Sequence, residues 1–359
     1  MPIFDSSSIS AVAIHRVGNK ATDEGCILSG KEQHLSEALQ DLLIRYFLTP
    51  FKVEEYYHLY DEAGPTQNAV YQSASRLFDD PDTLLAESQQ LARLLYDAST
   101  HPNIKGGDLF VVYFKECQLN GETLDAIGLF KAENKAQFLK VLHDEEEWAT
   151  QADLHEASAR FRMDIDKGID INKLDKGALI FNTERDKGYV VSVVDTSGRG
   201  TDACYWKDNF LAIRQRQDEF FNTHQVMQAY KKFVTNELPQ QYEDVSRADQ
   251  ADLLNRSVTF FKQNDHFDME DFERDVIGQP EVIDSFKQYR TLYEEEHDVQ
   301  LPDSFGISEG AVKKQARSYR SVIKLDKNFH IYVHGDRQLI EQGEDEKGKY
   351  YKVYYNEES

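Results

Sequence analysis

The sequence predicts an α+β fold: an N-terminal antiparallel sheet with packed helices, a helical middle region and a small C-terminal β-meander. The first indication is a hairpin. Residues 108–116 and 123–131 are strand-like, and Asn120-Gly121 between them favours a tight turn. The second indication is another strand-like pair, residues 178–182 and 189–194, joined by a polar turn. Strands joined by short turns run antiparallel, so this sheet differs from the parallel sheets of α/β folds.

Helices are indicated by apolar residues that recur every three or four positions. Residues 32–48 carry leucines at this spacing and stop before Pro50, and residues 83–98 repeat the pattern. From Trp206 to about residue 296 the pattern is again helical, and Ile213 is expected on the same helix as Trp206.

After Pro302 the hydrophobic period returns to two, which predicts a small β-meander. We therefore expect an α+β domain over residues 1–205, a helical region over 206–302 and a β-rich region over 303–359. The aromatic-rich helices of the middle region would also suit a homodimer contact.

The composition is that of a globular chain: hydrophobic residues make up 40% and aromatic residues 12% of its 359 residues. No apolar run approaches the ~20 residues that cross a bilayer, and the N-terminus lacks the pattern of a signal peptide. The three cysteines are far apart, which argues against a disulfide framework and a cysteine zinc site. We expect a cytoplasmic protein without membrane contact.

Charge is distributed unevenly along a chain whose formal net charge is −23. Residues 265–303 contain thirteen acidic and three basic residues, whereas residues 311–327 contain six basic residues and one acidic residue. Such an abrupt change of sign suggests surfaces with different partners. The basic stretch either contacts phosphates or neutralises the acidic helices before it, and charge alone does not choose between these roles.

Helical spacing would place Lys313, Arg317 and Arg320 on one face, suited to successive phosphates. Tyr319 would add either base stacking or simple packing. The residues expected to contact nucleic acid through phosphates are Arg199, Lys207, Lys313, Lys314, Arg317, Arg320 and Lys324.

Arg199 and Lys207 enter this set through a loop that precedes the Trp206 helix. The loop contains Gly198-Arg199-Gly200, with Thr201 or Asp202 as the expected N-cap. Backbone N–H groups at a helix start are suited to a phosphate, although a plain capped loop explains the same residues.

Signatures of catalysis and cofactors are weak. Residues 343–349 match most of a phosphate-binding P-loop, but Tyr350 replaces the required Ser or Thr and a strand follows, so a hairpin turn is expected. Aspartates at 164, 166, 170 and 175 are of the type that binds Mg²⁺, but the EF-hand pattern fails and no basic catalytic partner is nearby, which favours surface turns. We expect neither a cofactor nor a resident metal.

Several segments, in order along almost the whole chain, resemble the NdpA-like family of nucleoid-associated bacterial proteins. They are ISAVAIHRVGN, DIDINKLDKGALIF, YVVSVVDTSGRGTDACYWKDNFLAI, VQLPDSFGISEG, IKLDKNFHIYVHGDRQLI and GKYYKVYY. The resemblance implies a non-catalytic protein of the bacterial nucleoid that binds DNA, with RNA as a second ligand and a topoisomerase as a partner. The chain lacks the long basic C-terminal tail of the family pattern and ends in Asn-Glu-Glu-Ser.

Two alternatives from other functional classes stay open. The acidic helices, densest at residues 294–296, would suit an interaction module for a topoisomerase or another basic nucleoid protein. A metal-dependent nuclease would use Asp166, Asp170 and Asp195.

Overall fold

The computed structural model describes residues 2–143, 161–196, 205–319, 322–325, 329–332, 339–355 and 357. The chain divides into two compact units, residues 1–216 and residues 217–359. Arg199 and Arg320 lie outside the described residues, as do the N-caps expected at Thr201 or Asp202.

The strands of the first unit are β1 Ser8–Val17, β2 Cys26–Ile27, β3 Tyr56–Leu59, β4 Gly107–Leu119, β5 Glu122–Ala132, β6 Ala136–His143, β7 Phe161–Gly168, β8 Lys176–Phe181, β9 Val190–Asp195 and β10 Ile213–Gln215. Eight of them form an antiparallel sheet in the order β10-β3-β9-β8-β5-β4-β1-β2. A separate two-stranded sheet contains β6 and β7.

Both predicted hairpins are present at the centre of this sheet. β4 pairs with β5, and β8 pairs with β9. Asn120 and Gly121 have φ values of 52° and 83°, the left-handed conformation that a tight hairpin turn requires. The predicted antiparallel α+β architecture is therefore confirmed.

Helices cover both faces of the sheet. α1 (Glu37–Leu48) lies on one face, where Phe47 stacks on Phe130 of β5 with ring centroids 4.1 Å apart. α2 (Ala69–Asp79) and α3 (Leu84–Ala98) cover the other face. Because both faces are covered, the central strands contain nearly continuous buried apolar residues.

The helix at Trp206 ends before Ile213, which was expected to belong to it. A π-helical segment, Tyr205–Leu211, buries Trp206 against the face that carries α2 and α3. The chain then turns at Ala212, which has a φ of 47°, and Ile213 begins β10. The expectation that Ile213 continues the helix was wrong, because residues 213–215 pair with β3 as a strand.

The second unit is mainly helical. Its helices are α4 Glu219–Lys232, α5 Leu238–Gln241, α6 Arg247–Gln263, α7 Met269–Phe272, α8 Pro280–His297 and α9 Glu309–Ala316. Its strands are β11 His266–Asp268, β12 Ser304–Gly306, β13 Val322–Leu325, β14 Phe329–Tyr332, β15 Ile340–Asp345 and β16 Gly348–Val353, and they pair as β11–β12, β13–β14 and β15–β16.

Aromatic side chains fill the core of the second unit. Tyr230 meets Phe272 and Phe286 edge to face, and Phe267 stacks on Phe305. These rings are buried, and the expected homodimer contact stays a prediction. The P-loop-like segment is the turn between β15 and β16, as expected.

Candidate nucleic-acid interface

The basic stretch begins on α9, whose orientation is fixed at its N-terminus. The Ser308 side chain accepts a hydrogen bond from the backbone N–H of Ala311, and the Ser308 N–H donates to Thr223 Oγ1 of α4 at 3.0 Å. Ala311 and Val312 are buried. The side chains that follow them, Lys313 and Lys314, are directed to solvent.

Tyr319 holds the C-terminal side of α9 on the core. It is 3% exposed, and its hydroxyl donates to the carbonyl of Met227. Burial raises the pKa of Tyr319 well above its ordinary value, so the phenol stays protonated and remains a donor. Of the two roles considered for Tyr319, the structure shows packing rather than stacking on bases.

Three basic side chains project from this anchored segment. Lys313 lies 2.9 Å from Glu309, and both side chains are highly exposed. Such a surface pair contributes at most about 1 kcal/mol, so a phosphate can displace the carboxylate. Lys314 lies 5.6 Å from the ring centroid of Phe220, and Arg317 is exposed.

A fourth basic side chain, Lys231 in the last turn of α4, was not selected from the sequence. Its ammonium lies 5.9 Å from the ring centroid of Tyr319, beside the end of α9. A lysine in a last helical turn is common for electrostatic reasons, so only the packing of α4 on α9 reveals its relation to the basic stretch.

The remaining predicted contacts are distributed over the chain. Lys324 is in β13, in register with His330. Lys207 belongs to the first unit, where its ammonium lies 2.8 Å from the Tyr57 hydroxyl and 4.6 Å from the centroid of that ring. Tyr57 in turn donates to Glu55 at 2.8 Å. Burial, reinforced by Glu55, raises the pKa of Tyr57.

The acidic helices obtain cationic partners within their own segment. Lys287 pairs with Glu273 at 3.0 Å, and Arg290 contacts both Glu294 and Asp303, the latter at 2.6 Å. Lys313, by contrast, pairs with a carboxylate on its own helix. The acidic helices are therefore neutralised in part by basic residues of their own segment.

The three aspartates of the nuclease hypothesis do not form one site. Asp166 is in the β6–β7 sheet, Asp170 accepts from the backbone N–H of Asn172 in a turn, and Asp195 is paired with Lys176. Within the described part of the chain, no three His, Cys, Asp or Glu side chains are grouped to hold a metal ion. Asp170 instead lies in an exposed turn, where its side chain accepts this hydrogen bond.

The family-like motifs instead converge on a buried charge cluster, comprising Lys131, Glu133, Asp175, Lys176, Asp195 and Tyr205. It forms where the ends of three neighbouring strands in the middle of the sheet, β5, β8 and β9, place Lys131 opposite Lys176 and Lys176 opposite Asp195. Lys176 donates to both carboxylate oxygens of Asp195, at 2.9 and 2.8 Å. This cluster was not predicted, because its residues come from distant segments.

Tyr205 connects the two lysines of the buried charge cluster. Each ammonium lies 5.1 Å from its ring centroid. Its hydroxyl accepts from Lys131 at 3.0 Å and donates to Glu133 at 2.5 Å. Burial lowers the pKa of Lys131, while Glu133 opposes that shift. Asp175 closes the cluster by accepting from the backbone N–H groups of Glu133 and Asn134.

Each of these charges has partners, as buried charges require. The arrangement is therefore suited to fixing strand ends rather than to exposing a reactive group. It also fixes Thr196 and Tyr205, the described residues on either side of the segment that contains Arg199. The Thr196 N–H donates to the Asp175 carbonyl at 2.9 Å.

No helix among the described residues has the length and apolar character needed to cross a membrane. A search of curated proteins finds no match to the chain. A family model does match, over residues 13–359, and its description is nucleoid-associated protein YejK. The chain therefore belongs to this family of nucleoid-associated proteins.

Proposed function

We propose that the chain binds DNA, with RNA as a second ligand, through phosphate contacts made by α9 and the residues after it. The observation that carries the proposal is the exposure of Lys313, Lys314 and Arg317 on a segment anchored by Ser308 and Tyr319. Family membership supports a role at the bacterial nucleoid.

Phosphate contact is the chemistry that these side chains support. Lys313 and Arg317 are four residues apart, so they lie on one side of the helical segment. The overall charge of −23 repels nucleic acid, which restricts binding to such local basic surfaces. Since α9 is short and carries no base-reading motif, we expect little sequence specificity.

Salt dependence provides the decisive experiment. Each phosphate contact contributes roughly −0.9 to the slope of log affinity against log salt on double-stranded DNA. A Lys313→Gln/Lys314→Gln/Arg317→Gln protein should therefore bind more weakly, with a slope less negative by about 2.7. Fluorescence anisotropy with one DNA and one RNA duplex, from low to high salt, measures both quantities.

A matched control removes three exposed lysines from the first unit: Lys52→Gln/Lys115→Gln/Lys187→Gln. Both proteins lose the same charge, so a general electrostatic effect would weaken both equally. The proposal requires the α9 variant to change the slope and the control to leave it nearly unaltered. Equal slopes in wild type and α9 variant would refute phosphate binding by this segment.

The predicted contacts Arg199, Lys207, Arg320 and Lys324 extend this proposal. Lys207 is the most informative of them, because its ammonium is already engaged by Tyr57. A Lys207→Gln change should reduce the salt slope by about one if the side chain leaves Tyr57 to contact a phosphate.

The exposed acidic residues of α8 support a second function, which is binding to a basic protein. The outward side of this helix carries exposed Glu281, Asp284 and Glu295 together with Leu292, which is 63% exposed. We propose that this acidic face binds a basic protein, with a topoisomerase as the first partner to test. Purified topoisomerase should bind wild type in nuclease-treated samples and lose affinity for Glu281→Gln/Asp284→Asn/Glu295→Gln. Binding that disappears with nuclease treatment would mean bridging by nucleic acid.

A further inference from the structure

The ends of α4 and α8 meet at a lysine–histidine pair. Lys232 is the last residue of α4, and His297 is the last residue of α8. Nζ of Lys232 lies 2.9 Å from Nε2 of His297, and both side chains are partly exposed. An amine within hydrogen-bond reach of an imidazole has the arrangement of a nucleophile and its general base.

The second ring nitrogen of His297 fixes which atom faces the lysine. Nδ1 lies 2.9 Å from the backbone carbonyl of Tyr293. A carbonyl oxygen only accepts hydrogen bonds, so Nδ1 carries the hydrogen and Nε2 of the neutral ring is an acceptor. Glu296 approaches the ring from the Nδ1 side, at 3.9 Å, and leaves Nε2 to Lys232. Lys232 therefore donates to Nε2, which is the atom that can receive a proton from the amine.

Packing against Tyr293 holds both members of the pair. The rings of His297 and Tyr293 stack with their centroids 4.0 Å apart, and Nζ of Lys232 lies 5.1 Å from the Tyr293 centroid. Tyr293 is 1% exposed, and its hydroxyl donates to Oε1 of Gln225 at 3.2 Å. Because a buried ring positions both groups, little conformational freedom has to be lost before the amine and the base meet.

The partner of Lys232 differs from the carboxylates that other lysines of this unit contact. Lys287 pairs with Glu273, and Lys313 pairs with Glu309. A carboxylate stabilises the ammonium form of a lysine, which is not a nucleophile. A neutral imidazole can instead take up the proton that an amine loses during reaction.

We propose that Lys232 is a site of acylation by acyl phosphates, with His297 as the general base. The ammonium first releases one proton to solvent. Nζ then attacks the carbonyl carbon of the acyl phosphate, and the bond from that carbon to the phosphate oxygen breaks. The second proton passes from Nζ through Nε2 of His297 to the departing phosphate, so the products are an amide and inorganic phosphate. The modification removes one positive charge and makes an acidic chain more acidic.

The surroundings of Lys232 favour a small acyl donor. Its ammonium contacts the rings of Tyr293 and His297, and its side chain is only partly exposed. An acyl phosphate has only a phosphate as its leaving group, whereas an acyl thioester of coenzyme A carries a much larger one. Both donors deliver the same acyl group, so the experiment compares them.

Mass spectrometry that resolves individual lysines tests the proposal. The full chain is incubated with acetyl phosphate, and fragment ions follow acetylation at Lys231 and Lys232 separately over time. Lys231 is the matched control, because it is the preceding residue, is also partly exposed and has its ammonium near the Tyr319 ring instead of an imidazole. Lys232 should react at least about tenfold faster, since a positioned general base contributes roughly 100-fold or more. In the urea-unfolded chain the two rates should be equal.

His297→Gln distinguishes a base from a mere hydrogen-bond partner. Glutamine keeps an oxygen that can accept from Lys232, but it takes up no proton. The variant should lower the Lys232 rate at least about tenfold and leave the Lys231 rate unaltered. Glu296→Gln, which changes the neighbouring residue, should leave both rates unaltered, and circular dichroism verifies the fold of both variants.

Three outcomes would overturn the proposal. The first is an equal rate at Lys231 and Lys232 in the folded wild type, and the second is an unchanged Lys232 rate in His297→Gln. The third is labelling of Lys232 by acetyl coenzyme A but not by acetyl phosphate, which would exclude the acyl phosphate as the donor.

Discussion

Removing Lys131 from the buried charge cluster should destabilise the first unit more than a typical core substitution of similar size. Lys131 is fully buried and contacts Glu133 at 3.1 Å, the Tyr205 hydroxyl at 3.0 Å and the Lys105 carbonyl at 2.8 Å. Lys131→Met keeps the volume of the side-chain stem but leaves Glu133 charged without its cation. Breaking a buried ion pair from one side costs about 3–5 kcal/mol.

A double-mutant cycle separates the free-energy cost of breaking the Lys131–Glu133 ion pair from the cost of lost packing. Glu133→Gln should also destabilise, because it leaves Lys131 without its carboxylate. Lys131→Met/Glu133→Gln removes both charges, so its cost should fall below the sum of the single changes by about 2 kcal/mol.

Tryptophan fluorescence in a urea titration measures these free energies for the first unit. The chain has two tryptophans, Trp148 and the fully buried Trp206, and both belong to residues 1–216. A double variant whose cost equals the sum of the single costs, within about 0.5 kcal/mol, would refute the paired-charge account.

Three further predictions concern the core and titration of the first unit. Phe47→Ala removes the ring stacked at 4.1 Å on the sheet and should cost about 3–5 kcal/mol by the same fluorescence assay. His15 is buried, and burial and then Arg93 lower its pKa; hence stability should decline as pH falls below 6.5, the ordinary value, and His15→Gln should flatten that dependence. Burial raises the pKa of Cys117 from 9.0 to about 11, so in a Cys26→Ser/Cys204→Ser background its alkylation at pH 8 should be about a hundredfold slower folded than unfolded. A constant stability between pH 7 and 5, or equal alkylation rates, would contradict the respective prediction.

Local signals explain what the sequence could predict about the fold. The β4–β5 hairpin follows from Asn120-Gly121, because few residue pairs accept the left-handed conformation in both positions. The start of α1 was placed early, at residue 32, whereas the Ser36 side chain caps the helix and Glu37 begins it. The four-residue strand β3 was missed, since its pairing with β9 is set by tertiary contacts and not by a periodic pattern.

The candidate sites depended still more on tertiary contacts. The position of Lys313 and Arg317 on one side of a helical segment was predictable, because helical spacing is a local property. Lys231 required the packing of α4 on α9. The buried charge cluster required the alignment of three strand ends, and lysine in a sequence ordinarily indicates an exposed residue.

The order of strands in the large sheet has a consequence for how the chain folds during synthesis. β3 ends at Leu59, yet its two neighbours, β9 and β10, begin at Val190 and Ile213. A ribosome therefore has to complete most of the first unit before β3 obtains either partner. The β4–β5 hairpin can form early, but β3 can pair only after β9 or β10 has been synthesised. A nascent chain that ends before β9 therefore has an unpaired sheet edge, which favours aggregation.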